Sequence, residues 1–455
     1  MKKLLYVCLL VLAMSTLPHA NAQEALLQSS TQAAVLQRND FIGMVVRDPY
    51  YEWGSAPGKP NEPNREFQDF MGKMLARAGV EWVRLEIHIR SGDVIGELKK
   101  QEYFINTVAP RYKLKVLALL AFDIVPGRDL WQLNCVKATE PEKCIVDSSG
   151  TYGGGVNQYM QTWLDNALVT ADYFGTNIHA YEVLNEQNRL PAPYGGKAID
   201  PQIAARLAAK FFRFCHNQGM PVDRPTAHTC GERPIILGGL HPRGTSDSTG
   251  KIVMTDAEYL GKTYDADGDS GNKNGPFGEY KATYGGYPID GIAYHPYPVE
   301  IRASRNTRQD DVDFGIDRVQ AVMERYDKGQ QFWITEIGYN IGYYQNTPSE
   351  LGAFTRDIFT TLADRMLKSE GFEMTPAVAN VFWFKYEDFA PAEGKDAQKW
   401  GIVRIPFSTD STRPDGVRYQ TGGFPVEFRD SYTAIRDMSG APLEPPRAYF
   451  PLIER

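Results

Sequence analysis

The feature that most constrains this chain is an alternation. Eight short apolar runs, at residues 41–46, 81–87, 115–122, 180–184, 235–240, 289–293, 332–337 and 380–384, are separated by longer stretches with helical spacing. Over 64–78, for example, Phe67, Phe70, Met71, Met74 and Leu75 recur at i, i+3, i+4, i+7 and i+8, which gathers them on one helix face. Similar patterns occupy 157–174, 201–218, 312–327 and 350–368, and a last helix is expected near 430–439. Strands alternating with helices argue for parallel βα units joined by right-handed crossovers. Eight such units are the number that closes a barrel. The competing open, doubly wound sheet would carry a Gly-rich phosphate turn after its first strand, and none is present. The expectation is therefore an α/β fold, a (β/α)8 TIM barrel with elaborated βα loops.

No linker, charge run or internal repeat divides the chain, so residues 39–455 are expected to form a single catalytic domain, with loop insertions accounting for its length. Residues 23–38 read as a lead-in. Ahead of them, Lys2 and Lys3 precede an apolar stretch at 4–17 and the small-x-small triplet Ala20-Asn21-Ala22. That stretch is too short for a bilayer, so residues 1–22 are expected to be a removed secretory signal and the product to be secreted or periplasmic. Cys8 follows Val7 inside the apolar stretch, which argues against a lipoprotein anchor.

With 42% hydrophobic and 23% charged residues the chain is compositionally an ordinary globular protein, not a disordered one. Its formal charge is −7, or −9 once Lys2 and Lys3 are gone. Nucleic acid and anionic lipid call for clustered Lys and Arg, so neither is an expected partner. Beyond residue 22 the cysteines are Cys135, Cys144, Cys215 and Cys230. Three pairings are open; joining each cysteine to its sequence neighbour closes the shortest loops in an exported chain. Zinc is the rival reading, without the C-x-x-C or nearby histidines it would want.

In a (β/α)8 barrel, chemistry sits at the C-terminal ends of the strands. The fourth run ends Tyr181-Glu182-Val183-Leu184-Asn185-Glu186, and the seventh ends Trp333-Ile334-Thr335-Glu336-Ile337-Gly338. Glu186 and Glu336 could face each other across the mouth, one protonated and donating to a leaving oxygen, the other ionised and attacking. An exposed loop carboxylate is the plain alternative for each. The similar Asn61-Glu62-Pro63-Asn64 opens a helix instead and is expected to be a capping turn. The sixth run delivers His295 and Tyr297 to the same rim, where they could bond a carboxylate or a hydroxyl; a satisfied core histidine is the alternative. Arg84, within the second run, needs a carboxylate partner if buried. That partner is Glu336, held ionised as a nucleophile, or else Glu86 or Glu182 in a structural pair. Trp383 in the eighth run could offer an indole face to a sugar or simply pack in the core.

These segments together resemble the clan of retaining glycoside hydrolases on the (β/α)8 barrel, of the family 39 and family 5 type, with catalytic glutamates on strands 4 and 7. The resemblance rests on Glu182-Val183-Leu184-Asn185-Glu186-Gln187-Asn188, Ala293-Tyr294-His295-Pro296-Tyr297 and the strand-7 segment ending in Glu336. It implies Glu186 as acid/base, Glu336 as nucleophile, Asn185 on a sugar 2-hydroxyl, and His295, Tyr297 and Arg84 in support. Gln187 departs from the pattern, standing where many relatives carry proline.

Asp265, Asp267 and Asp269 alternate as in a calcium loop, but Ser270 and Pro276 replace the glycine and glutamate such a loop wants, so a polar surface turn is the competing reading. Tyr50, Tyr51, Trp53 and Trp131 put aromatics in rim loops where sugars could stack. No Gly-x-Ser-x-Gly or His-Glu-x-x-His motif occurs. The expected function is hydrolysis of β-glycosidic bonds in a poly- or oligosaccharide, with retention and without metal or organic cofactor. A carbohydrate-binding barrel without catalysis and a metal-assisted hydrolase are the alternatives.

Overall fold

The computed structural model describes residues 40–46, 55–56, 59–126, 152, 156–189, 198–218, 228–246, 252–264, 275–298, 308–344, 347–371, 378–389, 399–409, 417–419 and 423–441. The expected signal and lead-in segments, Cys135, Cys144, Asp265, Asp267, Asp269, Tyr50, Tyr51, Trp53 and Trp131 lie outside the described residues.

Eight strands form the closed sheet: β1 (Ile42–Val46), β2 (Trp82–Glu86), β3 (Lys115–Leu120), β4 (Ala180–Val183), β5 (Ile235–Leu240), β6 (Gly291–Tyr294), β7 (Gln331–Ile337) and β8 (Val378–Trp383). Each pairs in parallel with its sequence neighbours, and β1 pairs with β8 to close the barrel. All eight expected runs are strands of this barrel. Around it lie α1 (Arg65–Arg77), α2 (Val94–Tyr103), α3 (Gln158–Phe174), α4 (Pro201–Cys215), α5 (Asp256–Tyr264), α6 (Pro276–Tyr284), α7 (Arg308–Tyr326), α8 (Pro348–Gly371) and α9 (Asp430–Met438). The sequence pattern did not single out α2, α5 and α6. Helix α6 buries only Phe277 and Tyr280, too few for a visible apolar stripe. Asn64 caps α1 as expected, its side chain accepting from the Phe67 amide at 3.1 Å, but Asn61–Pro63 before it ends a short strand, Lys59–Pro63, paired antiparallel with Ser55–Ala56 rather than forming part of a turn.

Cys215 at the end of α4 is bonded to Cys230, 15 residues on, in agreement with local pairing; these two are therefore not zinc ligands. Among the described residues no helix is long and apolar enough to cross a membrane.

The barrel interior is filled by one residue from each strand: Val45, Trp82, Leu117, Ala180, Ile236, Ala293, Trp333 and Phe382. Trp82 meets Trp333 edge to face at 5.6 Å. Side chains on a strand alternate between faces. Two residues further along, therefore, the chain presents a second inward layer that includes Arg84, Glu182, His295, Thr335 and Phe384. A polar layer seated on an apolar floor is how this fold positions its site.

The same alternation corrects the expectation for Trp383. One residue out of phase with Phe382, it turns outward and is fully buried, its ring packed on Phe354 and Phe359 of α8. It offers no face to a ligand. Phe384 holds the inward position instead.

Candidate active site

Arg84 organises the polar layer. Its Nε donates to Glu182 Oε2 at 2.5 Å, Nη1 to Glu336 Oε1 at 2.5 Å, and Nη2 to Glu182 Oε1 at 3.2 Å and Asn185 Oδ1 at 2.8 Å. Both partners expected of it from the sequence, Glu336 and Glu182, are engaged at once; Glu86 is not bonded to it. Burial opposes its charge, but Glu182 and Glu336 more than offset this and raise the guanidinium above its ordinary value. Asn185 turns its carboxamide oxygen onto Arg84, which leaves the amide nitrogen as the end that can donate to a ligand.

Glu336 lies near the end of β7, where the register against β8 shifts between Ile334 and Ile337. Such an irregularity re-aims side chains, and Glu336 faces the barrel axis next to the inward Thr335. Its second oxygen accepts from the Tyr297 hydroxyl at 2.8 Å. Burial, and then the Glu336 charge, push the Tyr297 hydroxyl well above the usual phenol range, so it stays a donor.

Glu186 sits just past β4 in a left-handed backbone conformation, φ 46°, and Leu184 does the same at φ 70°. Non-glycine residues in this region cost roughly 1–3 kcal/mol each and concentrate at functional sites. Here the Glu186 amide donates to Gly239 O at 2.9 Å and the Arg189 amide to Glu186 O at 2.7 Å, which fixes the turn. The Glu186 carboxylate meets His295 Nδ1 at 3.1 Å. Burial alone would raise its pKa; the nearby charges of His241, His295 and Arg84 and the His295 hydrogen bond outweigh that and bring it down to about 2. One oxygen of Glu186, one of Glu336 and a His295 ring nitrogen all lie within 4.8 Å of one another.

The structure thus brings Arg84, Asn185, Glu186, His295, Tyr297 and Glu336 into one constellation, with Trp383 outside it. Sequence reading had not assigned several further members. Glu182, named only as a structural partner for Arg84, also accepts from the Gly239 amide at 2.9 Å and from Thr335 Oγ1 at 2.9 Å. Gly239 is small for a reason: a Cβ there would lie 2.0 Å from His295 Nε2. Gly239→Ala should displace His295, costing about 1–3 kcal/mol of stability and most of any activity that depends on that ring; chemical denaturation and rate measurements on the one variant check both.

Aromatics close the strand 7–8 side of the mouth. Half-buried Trp400 packs edge to face on Tyr297 at 5.5 Å and on half-buried Phe384 at 5.4 Å. Its backbone is pinned on both sides. The Lys399 amide donates to Asn340 Oδ1 at 3.0 Å, and the Gly401 amide to Asp388 Oδ1 at 2.9 Å. Arg429 Nη1 donates to Gly401 O at 2.6 Å and forks onto the Asp388 carboxylate. Trp400 lies 16 positions beyond Phe384, too far along the chain for strand periodicity to find it.

Among the described residues, two groups of acids with a histidine lie close enough to share a cation: Glu186–His295–Glu336 and Glu86–His88–Asp123. In the first, the Glu336 oxygens are taken by Arg84 and Tyr297. In the second, the Arg90 guanidinium lies 2.8 Å from His88 Nδ1. In both groups, atoms that could ligate a metal are thus already engaged by protein donors.

Fold and site together define a (β/α)8 barrel with a facing carboxylate pair at its mouth. No family model and no curated protein matches the chain. Among solved structures, it is similar to the exo-beta-1,4-mannosidase Op5Man5 from Opitutaceae bacterium strain TAV5, with a TM-score of 0.50 at 12% identity over 88% of this chain and 59% of that one. A family 39 glycoside hydrolase from Bacteroides cellulosilyticus WH2 gives 0.48 at 12% identity over 89% and 64%, respectively. The AHE enzyme from Alicyclobacillus herbarius gives 0.48 at 12% identity over 89% and 98%. The chain spans less than two thirds of the length of the first two. At these identities the likeness is one of fold.

Proposed function

We propose that this protein is a retaining glycoside hydrolase acting on β-linked poly- or oligosaccharides. The observation that carries the reading is the approach of Glu186 and Glu336, with carboxylate oxygens within 4.8 Å. Retaining enzymes hold the pair about 5–5.5 Å apart, whereas inverting ones leave roughly 6.5–9.5 Å for a water. Glu336, held by Arg84 and Tyr297, is the nucleophile. It attacks the anomeric carbon as the glycosidic bond breaks, and Glu186 delivers a proton to the departing oxygen. Glu186 then takes a proton from the water that displaces Glu336, and the second inversion gives net retention.

A solved structure that shares the fold is described as an exo-beta-1,4-mannosidase, which agrees with this reading. We also propose that the protein works outside the cytoplasm. Lys2, Lys3 and the apolar stretch after them support this, as does a Cys215–Cys230 bridge of the kind that persists in oxidising compartments.

The test is a screen of aryl β-glycosides and β-linked polysaccharides, with the anomer first released followed by proton NMR. A β product from a β substrate is expected; an α product would contradict the double displacement. Trp400 should matter for binding more than for chemistry, because a pinned indole can stack on a sugar in ground and transition states alike. Trp400→Ala is expected to raise KM about tenfold with little change in kcat, and Trp400→Phe to recover part of the loss.

A further inference from the structure

A general acid must carry a proton, yet the Glu186 carboxylate is surrounded by cationic groups that favour its ionised form. Where the proton rests can be read from a chain of hydrogen bonds behind the pair. The Thr335 hydroxyl has one hydrogen and gives it to Glu182 Oε1 at 2.9 Å. Glu182 is an acceptor throughout, taking Nε and Nη2 of Arg84 and the Gly239 amide. The Thr335 oxygen lies 3.0 Å from His295 Nε2 and has only lone pairs left to offer, so Nε2 must carry a hydrogen and donate it. With Nε2 committed, a neutral His295 would turn a bare Nδ1 toward Glu186 Oε1, only 3.1 Å away. Two acceptors cannot share that gap without a proton between them.

We propose that Glu182 and Thr335 are positioning residues that lock the orientation of His295, so that its Nδ1 and Glu186 hold one shared proton, the proton delivered to the leaving oxygen. The inference rests on the hydrolase reading only for that delivery. The balance is simple. In the first step the shared proton passes through Glu186 to the glycosidic oxygen as its bond to carbon breaks and the bond to Glu336 forms. In the second, water gives one proton back to the Glu186–His295 pair as its oxygen replaces Glu336 on carbon. The other charged and titratable groups around the pair are Arg84 on β2, Glu182 on β4, Arg189 just after Glu186, His241 after β5, Tyr297 after β6 and Glu336 on β7. All of these remain when Thr335 is changed.

The test uses the full-length protein labelled with 15N in its histidines, with His295 assigned through His295→Gln, and compares wild type with Thr335→Val and Thr335→Ser. Long-range nitrogen–proton NMR is expected to show Nε2 of His295 protonated across the neutral range in wild type and Thr335→Ser. In Thr335→Val, which lacks the hydroxyl, the hydrogen is expected on Nδ1. In kcat/KM profiles, Thr335→Val should move the basic limb down by about one pH unit or more, about a tenfold loss one unit above the wild-type midpoint. Thr335→Ser should return the limb to its wild-type position. A wild-type His295 protonated on Nδ1 with Nε2 bare overturns the proposal whether or not Thr335→Val folds. An unmoved limb with the expected NMR result overturns the delivery role. If no glycoside is turned over and the NMR result holds, the locked proton stands and the hydrolase reading falls.

Discussion

Glu336→Gln is expected to abolish glycoside turnover, by on the order of 10³-fold or more, while leaving the protein folded. Glutamine keeps the side chain's length, and its single carboxamide oxygen still accepts from one of the two donors that hold Glu336, Arg84 Nη1 or the Tyr297 hydroxyl. What it lacks is the negative charge and the lone-pair basicity to form a glycosyl ester. The separation of effects is the informative part: unfolding midpoint near wild type, oligosaccharide binding retained, turnover gone. Rates comparable to wild type would mean that another group attacks the anomeric carbon.

The largest stability effect is expected at Arg84. Replacing it by Met keeps most of the volume and removes the one cation shared by Glu182 and Glu336. Both carboxylates are buried, Glu182 completely. Stranding buried charges typically costs about 3–5 kcal/mol, far more than breaking an exposed pair. Arg84→Met should therefore lower the unfolding free energy by about that amount in urea titrations. Adding Glu182→Gln should recover part of it, because the two sites share one network and their effects are not additive. Activity should fall as well, since Glu336 loses one of the two hydrogen bonds that hold it.

Most of the frame was legible in the sequence, and the reason is physical. A strand buried on both faces must be apolar almost throughout, so the barrel strands stand out as runs, and a barrel puts its chemistry where those runs end. That sufficed to single out Glu186, His295, Tyr297 and Glu336. Arg84 was visible as a charge in an apolar strand, although the sequence left its partner open; the structure has it bridging two. The error at Trp383 came from reading a strand end as a rim without counting phase. Counting in twos from the interior Phe382 would have chosen Phe384, and counting from Ala180 and Trp333 would have chosen Glu182 and Thr335. Trp400 and Gly239 were hidden for different reasons. Trp400 reaches the mouth through a long connection whose path is set by the Asp388–Arg429 pair, a contact 41 residues apart in sequence. Gly239 is informative only once His295 is known to lie against it.

The central claim is that Glu336 forms a covalent bond to the sugar while Glu186 supplies and recovers the proton. The most direct measurement is to fluorinate an active substrate at C2, which slows release of the intermediate, and to identify the labelled peptide by mass spectrometry. The expected result is a single glycosyl adduct on Glu336, formed in wild type and absent in Glu336→Gln. A label on any other residue would contradict the assignment, and so would an enzyme that turns over β-glycosides with inversion and traps no adduct.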